Sequence, residues 1–288
     1  MYLLFFAEMW ERFSYYGMRA LLVLYMAKGF LSLSDSDSYA VYGAYTALVY
    51  MMPFLGGMLA DRLLGTRRAV ILGGVLMALG HLLMTWEREW PFYSALAMLI
   101  VGNGFFKPNI STTVGTLYAR HNPRRDAGFT IFYMGINLGA ALAPLLCGIF
   151  AFKFGWHWGF GLATIGMLVG LAVFAIPSGI ARWLIDASAV GAAVSLIFFH
   201  PAEPLSIAAS IFIGIALLAG AVVAFIAGGR EGLPESAGAP PEPARLRRKV
   251  FGPLTLEWAV YLGAFACVPL IGMLVSGFAV VTDHDRPV

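Results

Sequence analysis

The first apolar stretch of the chain contains charged side chains at spacings that put them on one face of a helix. At about 100° per residue, four polar side chains fall within about 40° of one line: Glu8, Arg12, Tyr15 and Arg19. Glu11 lies about 60° to one side of that line. A charged side chain inside an apolar span costs several kcal/mol and by default faces a cavity or a partner. This polar face is therefore the first candidate functional site. An amphipathic helix on the membrane surface is a weaker interpretation, because the charges interrupt an apolar run of spanning length.

A further buried charge, Lys107, lies in the fourth apolar stretch. If the N-terminus is cytoplasmic, Glu11 is about 9 residues from the cytoplasmic end of its helix and Lys107 is about 10 residues from the cytoplasmic end of its own. Each then lies roughly 13–15 Å from the cytoplasmic end at helical rise. Opposite charges at equal depth meet the requirement of a buried ion pair, because each charge alone is too costly. The pattern therefore predicts that Lys107 pairs with the acidic residues of the first helix. In the alternative, the Lys107 side chain extends to the membrane interface, which is far from this mid-span position.

Two uncharged polar residues are weaker candidates. Asn137 puts an amide at mid-depth in the fifth apolar stretch, where it either hydrogen-bonds a neighbouring helix or contacts a substrate. The residues alone leave both roles open. Tyr50, in the second stretch, carries less information because tyrosines are common in membrane proteins.

The histidines and cysteines do not indicate catalysis or metal binding. The five histidines are scattered over loops and span ends, without the spacing of a nucleophile site or a metal site. Cys147 and Cys267 lie inside apolar runs and are expected to pack as small apolar residues. An intramembrane hydrolase is therefore not predicted, and neither a metal nor another cofactor is expected.

The composition restricts the class of protein. The chain has 288 residues, of which 60% are hydrophobic and 12% charged, and its mean hydropathy is +0.78. A soluble domain is about half apolar and roughly a quarter charged. These values exclude a soluble enzyme, a nucleic-acid-binding module and a disordered protein. The formal net charge of +3 comes from short basic clusters between apolar runs, so no nucleic-acid partner is expected.

The apolar stretches that could span a membrane give the secondary structure. A transmembrane helix needs about 20 mostly apolar residues. Nine stretches meet this requirement: about 2–27, 39–60, 69–86, 91–117, 127–150, 157–177, 180–199, 205–227 and 254–281. The first of them carries charges that a cleavable signal peptide would not hold. The sequence therefore predicts an all-α membrane protein.

The basic residues in the loops predict the orientation. With a cytoplasmic N-terminus, the inside loops hold twelve basic residues and the outside loops and tail hold four. This asymmetry fits the positive-inside rule. The segment 228–247 is rich in Gly, Pro and Glu, and is interpreted as a flexible cytoplasmic linker.

Four motifs, in order and at helix-appropriate spacing, resemble those of the proton-coupled oligopeptide transporters, the peptide-transporter branch of the major facilitator superfamily. The first helix has the E-x-x-E-R pattern, and the loop after the second helix has the superfamily's signature. The fourth and fifth helices carry motifs similar to the family's. In this chain the motifs are Glu8–Gly17, Gly57–Arg68, Gly104–Asn109 and Phe132–Gly139. The resemblance covers roughly residues 1–175.

The resemblance implies roles for the polar residues of the helices. It implies a proton-coupling and salt-bridge group made of Glu8, Glu11, Arg12 and Lys107. It implies a peptide-binding set made of Tyr15, Tyr16, Arg19, Tyr50, Lys107 and Asn137. In this set Arg19 and Lys107 would attract the C-terminal carboxylate of the peptide.

The loop signature implies a conformational latch made of Gly57, Asp61, Arg62, Gly65, Arg67 and Arg68. Asp61 lies where a short turn joins two helices, so it can accept hydrogen bonds from a neighbouring helix N-terminus. The arginines hold the loop in the cytoplasm. A plain topogenic turn would explain the arginines but not the spacing of the glycines.

The predicted fold is a major-facilitator-type N-terminal six-helix bundle followed by about three further membrane helices. Its predicted parts are residues 1–178 as the bundle, 179–228 as two extra helices, 229–253 as the linker, and 254–288 as one more helix and a short tail. Nothing after about residue 175 resembles the family's second bundle. A truncated product, a fragment and one half of a split carrier all fit this pattern, and a second bundle or chain would then be needed for activity.

The expected function is proton-coupled symport of di- and tripeptides by alternating access in a bacterial cytoplasmic membrane. Its partners would be short peptides, protons and the lipid bilayer, with protons as the coupling ion. A major-facilitator carrier for another small solute, such as nitrate or a drug, is the first alternative. A non-transporting fragment of such a carrier is the second.

Overall fold

The computed structural model describes residues 1–119, 121–175, 178–198, 204–227, 233–234 and 236–283. Almost all of these residues lie in helices. The long helices are α1 (Tyr2–Lys28), α2 (Asp35–Leu59), α3 (Thr66–Leu83), α4 (Glu89–Thr116), α5 (Arg125–Phe154), α6 (Trp156–Ala175), α7 (Ser178–Phe198), α8 (Pro204–Ala227) and α10 (Leu256–Asp283). A π-helical turn (Ala60–Leu64) follows α2. A four-residue helix, α9 (Pro243–Leu246), and a two-stranded antiparallel ribbon, β1 (Lys249–Phe251) and β2 (Leu254–Thr255), precede α10.

Each of the nine predicted spans overlaps one long helix. The largest differences are four residues, at the start of α2 and at the end of α5. Six helices in the described part of the chain are long and apolar enough to cross a membrane, and α8 meets the hydropathy requirement over the shorter range Ile207–Val223. The prediction of an all-α membrane protein is confirmed.

The two remaining predicted spans are α1 and α4. Both are long, with 27 and 28 residues, but polar side chains interrupt their apolar runs. In α1 these are the four charged residues of the polar face, and in α4 they include Lys107 and two asparagines. Their polar character is consistent with the prediction that these two helices carry candidate functional residues.

The contacts divide the chain into two compact units that interleave along the sequence. Unit 1 comprises residues 1–21 and 117–234, and unit 2 comprises residues 22–116 and 235–288. The predicted parts instead follow chain order, and their boundaries stay predictions. The predicted tail after residue 283 and residues 229–232 of the predicted linker lie outside the described residues.

Unit 1 is built around the first half of α1. Every residue from Leu4 to Tyr15 is buried, on all sides of the helix. A helix that is buried all round belongs in the interior of a bundle. This burial contradicts the surface-helix alternative for α1.

Unit 2 is built on the packing of α3 against α4, with α2 and α10 also packed against α4. Its apolar core includes Ala60, Leu64, Leu72, Leu76, Val101, Phe105, Leu246 and Ala264. Leu246 lies in the segment that composition alone suggested was a flexible linker. In the structure, residues 243–246 of that segment form α9, the ribbon follows it, and Leu246 is 1% exposed. Gly238 lies in a turn and Pro243 starts α9, and composition cannot distinguish such residues from those of a linker.

Candidate functional site

A buried ion-pair cluster lies at the centre of α1, in unit 1. Arg12 Nε is 2.7 Å from Glu8 Oε1 and 3.0 Å from Glu11 Oε2. Both glutamate side chains are fully buried, and that of Arg12 is 6% exposed. Glu8 and Arg12 are four residues apart, so the helix itself places one above the other. The structure thus brings together three of the four residues predicted to form the proton-coupling group.

Two glycines of α5 allow that helix to lie directly against α1. Gly135 and Gly139 share a face because they are four residues apart. A Cβ at Gly135 would be 2.8 Å from the carbonyl oxygen of Phe5, and one at Gly139 would collide with that of Met9. The same Cβ on Gly139 would be 3.1 Å from Cβ of Arg12. The fifth-helix motif therefore supplies the close packing that holds Arg12 in place.

Helices α6 and α7 hold the other side of α1. A Cβ at Gly170 would be 2.9 Å from the carbonyl oxygen of Ala7, so α6 also approaches the backbone of α1 closely. Trp10 Nε1 donates a hydrogen bond to Ser188 Oγ of α7, at 3.1 Å. Ser14 Oγ donates to the carbonyl oxygen of Ala163. Trp10 and Ser14 belong to the first-helix motif, but the sequence analysis assigned them no role.

The charge balance of the cluster indicates its chemistry. With both carboxylates ionised, Glu8, Glu11 and Arg12 together carry one negative charge. Oε2 of Glu8 is buried and has no hydrogen-bond partner within the described residues. A buried charge is costly unless it is paired or neutralised. With both carboxylates ionised, the cluster therefore holds one excess negative charge in a buried environment.

The polar face continues along α1 with Tyr15 and Arg19, and Tyr16 lies to one side of it. Tyr15 is buried, while Tyr16 and Arg19 are partly exposed. The rings of the two tyrosines meet edge to face, with centroids 5.3 Å apart. Tyr15 lies three residues after Arg12 and Arg19 seven, so this part of the predicted peptide-binding set lies within about two helical turns of the ion-pair cluster.

Asn137 lies on the exposed face of α5. Its side chain donates a hydrogen bond to the carbonyl oxygen of Tyr133, at 3.0 Å, within its own helix. It also lines a largely apolar cavity of about 690 Å³, together with Tyr2, Phe5 and side chains of α8. The observed hydrogen bond does not join two helices, and the role of Asn137 in peptide binding stays a prediction.

Lys107 and Tyr50 meet in unit 2. Lys107 Nζ is 5.0 Å from the centroid of the Tyr50 ring, within the range of a cation–π interaction. Lys107 is partly buried, and Tyr50 is 62% exposed. The structure thus joins two residues of the predicted peptide-binding set. The pairing of Lys107 with Glu11 stays a prediction.

The fourth-helix motif packs α4 closely against α2. A Cβ at Gly56 would collide with the carbonyl group of Gly104. Asn109 donates a hydrogen bond to the carbonyl oxygen of Phe105, at 2.7 Å, and makes a longer one, at 3.4 Å, to that of Gly56. Pro108 has no backbone N–H, so it cannot continue the helical hydrogen-bond ladder at this point. The motif thus sets the position of Lys107 through the backbone around it.

The residues of the predicted latch lie around the π-helical turn. Asp61 and Arg62 are exposed on it, and they line a cavity of about 560 Å³ with Glu242 and Arg245. Gly57 faces α4, where a Cβ would be 3.7 Å from Pro108.

The other latch residues contact the segment that precedes α10 and the first turn of α10 itself. The backbone N–H of Arg67 donates to the carbonyl oxygen of Gly238, at 3.1 Å, and Arg68 pairs with Glu257, at 3.3 Å. Gly65, with φ of 75°, ends the π-helical turn. The structure therefore brings the loop signature together with a distant part of the chain.

Comparison with known proteins relates this arrangement to one family. Residues 67–200 match the sequence model of the POT family (PTR2). The peptide transporter YePEPT of Yersinia enterocolitica is 46% identical over 185 residues, which cover 61% of this chain and 36% of that protein. The uncharacterized transporter YclF of Bacillus subtilis is 42% identical over 221 residues, which cover 72% of this chain and 45% of that protein.

A solved structure agrees with these matches. The crystal structure of a POT family transporter in complex with 5-aminolevulinic acid has a TM-score of 0.58 and 43% sequence identity, covering 60% of this chain and 36% of that one. The chain thus spans less than half the length of the curated relatives it matches.

These matches confirm the resemblance to the POT family and the major-facilitator-type fold class. Together with the apolar helices, they identify a multi-pass membrane protein. The relatives are transporters rather than enzymes, as predicted.

Proposed function

We propose that this chain, a relative of the POT-family peptide transporters, takes part in proton-coupled symport of di- and tripeptides by alternating access. The observation that carries the proposal is the cluster of Glu8, Glu11 and Arg12, buried in the first half of α1. The naming of YePEPT as a peptide transporter supports the substrate class. The proposal places the chain in a bacterial cytoplasmic membrane with its N-terminus in the cytoplasm, which the distribution of basic residues supports.

Protonation is the proposed switch. With both carboxylates ionised, Glu8 and Glu11 would hold Arg12 and also Lys107. A proton on either carboxylate removes one of the two ion pairs and leaves the cluster electrically neutral. Because the pairs are buried, their loss changes the relative free energy of the conformations that the bundle can adopt. The same step would free Lys107, the fourth member of the proposed group, for the carboxylate of an incoming peptide.

Peptide recognition is proposed to use the groups that all short peptides share. Arg19 and Lys107 would attract the C-terminal carboxylate, because arginine and lysine are donors to carboxylates. The remaining residues of the proposed site are Tyr15, Tyr16, Tyr50 and Asn137. Side-chain diversity would be tolerated, since the backbone amine, amide and carboxylate supply the recognition.

Alternating access moves two sets of helices around a central site. The proposal therefore includes a second bundle, on this chain or on another, that completes the site opposite the polar face of α1. Conformational control would come from the latch residues around the π-helical turn, Asp61, Arg62, Arg67 and Arg68 among them.

Uptake into liposomes tests the coupling. The chain is purified together with any chain that co-purifies as its second bundle and is reconstituted, an inward proton gradient is imposed, and uptake of a labelled dipeptide is measured for wild type, Glu11→Gln and Glu87→Gln. Glu87 lies exposed between α3 and α4, which makes it a matched control. We expect gradient-driven uptake to fall by about tenfold or more in Glu11→Gln and to persist in Glu87→Gln, as is typical for loss of a proton-transferring group. Unchanged gradient-driven uptake in Glu11→Gln would contradict the proposal.

Competition tests the substrate class. Unlabelled di- and tripeptides should reduce the uptake of the labelled dipeptide, whereas free amino acids should not. Competition by 5-aminolevulinic acid, the ligand in the crystal structure of one POT family transporter, measures whether the range of substrates extends beyond peptides. A carrier for another small solute would show no competition by peptides. A folded, helical chain that takes up no peptide would be a non-transporting fragment and would also contradict the proposal.

A further inference from the structure

The N-terminus of α3 lacks a side-chain cap. The helix begins at Thr66, and its cap residue, Gly65, has no side chain with which to accept a hydrogen bond. The first backbone N–H groups of a helix have no partner within the helix. Here the N–H of Arg67 donates to the carbonyl oxygen of Gly238, at 3.1 Å. A residue more than 170 positions away in the sequence therefore caps α3.

The contact between Gly65 and Gly238 is shaped for two glycines. Both have positive φ angles, 75° and 76°. A Cβ at Gly65 would be 2.5 Å from the carbonyl oxygen of Gly238. A Cβ at Gly238 would be 2.5 Å from Thr66 Oγ1 and 2.7 Å from the backbone nitrogen of Arg67. Neither position accepts a side chain without displacement of the other segment.

Two further contacts hold the same segment. One involves residues that precede Arg67 in the sequence, and the other involves the residue that follows it. Leu246, in α9, is 1% exposed and packs with Ala60 and Leu64 of the π-helical turn. Glu257, at the start of α10, pairs with Arg68, at 3.3 Å. Tyr261 donates a hydrogen bond to the same oxygen of Glu257, at 2.8 Å, which orients the carboxylate.

The segment also has internal structure of its own. The backbone N–H of Leu256 donates to the carbonyl oxygen of Arg248, at 2.9 Å, next to the β1–β2 ribbon. Between the segment and the π-helical turn lies the cavity whose lining includes the charged residues Asp61, Arg62, Glu242 and Arg245. The side facing the loop thus combines a backbone acceptor, an apolar anchor and both signs of charge.

We propose that residues 236–257 form a strap that holds the α2–α3 loop (residues 60–68) in one conformation. Docking of the strap caps α3, buries Leu246 against the turn and occupies Arg68. The consequence for transport rests on the proposed function: in a carrier that works by alternating access, the docked strap favours one conformation of the loop, and undocking releases it. The strap itself does not depend on transport.

Hydrogen–deuterium exchange of the full chain in lipid nanodiscs tests the docking. The variant is Gly238→Ala, and the matched control is Gly252→Ala, another glycine with positive φ (53°) but with nothing within 4 Å of its Cβ. Both variants strain the backbone, so a difference in exchange rate between them reports on the contact of Gly238 with the start of α3. Loss of a hydrogen bond is expected to speed exchange in peptides covering residues 60–70 by roughly three- to tenfold in Gly238→Ala. Gly252→Ala should leave that exchange unchanged. Equal exchange in both variants would overturn the strap.

Charge reversal gives a second measurement, which does not depend on a glycine. Arg68→Glu and Glu257→Arg should each raise exchange in residues 60–70, and the double variant Arg68→Glu/Glu257→Arg should restore protection. Because the pair is partly exposed, the expected change is only about two- to fourfold. Additive effects in the double variant, without restoration, would contradict the ion pair as part of the strap.

Measurement of peptide uptake separates the test of the strap from the test of the proposed transport function. If exchange shows undocking in Gly238→Ala and the rate of peptide uptake changes, both parts of the proposal are supported. If undocking occurs and uptake is unchanged, the control of transport by the strap is wrong. Absence of uptake in wild type would contradict the proposed function, while the exchange results would still decide whether the strap exists.

Discussion

Two charged sites of this chain use the same residue types in opposite environments. In unit 1, Glu8 and Glu11 are fully buried around Arg12. In unit 2, the side chains of Arg68 and Glu257 are 37% and 25% exposed. A buried charge that loses its partner is strongly destabilising, whereas an exposed pair contributes little. The buried cluster is therefore suited to couple a proton to conformation, and the exposed pair to reversible docking.

The largest effect expected from this contrast is the loss of Arg12. The Arg12→Met variant leaves two carboxylates buried without their guanidinium, which should lower the free energy of unfolding by about 3–5 kcal/mol. The measurement is denaturant unfolding of the purified chain in detergent micelles. Arg62→Met, at an exposed position of the π-helical turn, is the control and should unfold like wild type.

A rescue variant separates charge from packing in the same experiment. Glu8→Gln and Glu11→Gln, added to Arg12→Met, remove the unpaired charges while keeping the side chains close to their original volume. Much of the lost stability should return, because the replacement of both members of a buried pair is far less costly than the loss of one. Failure of this rescue would show that Arg12 acts through packing, and the contrast between the two sites would lose its electrostatic basis.

An intermediate effect is expected from the close packing that holds the cluster. In Gly139→Ala the added methyl group meets the backbone of α1 at Met9, and overpacking of this kind costs about 1–3 kcal/mol. Gly148→Ala, on the same helix with nothing within 4 Å of its Cβ, should be neutral or more stable by up to about 1 kcal/mol, because alanine favours a helix. Thermal unfolding of both variants in detergent distinguishes them. Equal melting temperatures would contradict tight α1–α5 packing.

The sequence was sufficient to predict which stretches form long helices and which residues of α1 share a face. Both follow from local rules, namely apolar length and a rotation of about 100° per residue. The Glu8–Arg12 contact is of this kind, because residues four apart meet on any helix. The roles of Gly139, Gly170 and Ser188 could not be predicted, since a helix face does not reveal which helix packs on it.

Residues 236–247 show the opposite limit of sequence analysis. Their Gly, Pro and Glu content predicted a flexible linker, yet Gly238 and Leu246 make specific contacts with a loop that is distant in the sequence. The sequence does not distinguish a glycine in a flexible linker from a glycine that adopts a positive φ angle in a docked turn. Only the partner surface, here Gly65 and the first turn of α3, separates the two cases.

The smallest expected effect is the coupling between Arg68 and Glu257. Its dependence on salt tests the contrast between the exposed and the buried ion pairs most directly. A double-mutant cycle with Arg68→Gln and Glu257→Gln should give a coupling of about 0.2–1 kcal/mol at low salt. That coupling should fall towards zero in 1 M salt, where the Debye length is about 3 Å. A parallel cycle with Glu8→Gln and Arg12→Met should give a larger coupling that salt changes little, since screening ions do not reach a buried pair. A salt-sensitive Glu8–Arg12 coupling would show that water and ions reach the cluster, and the two sites would then differ in degree rather than in kind.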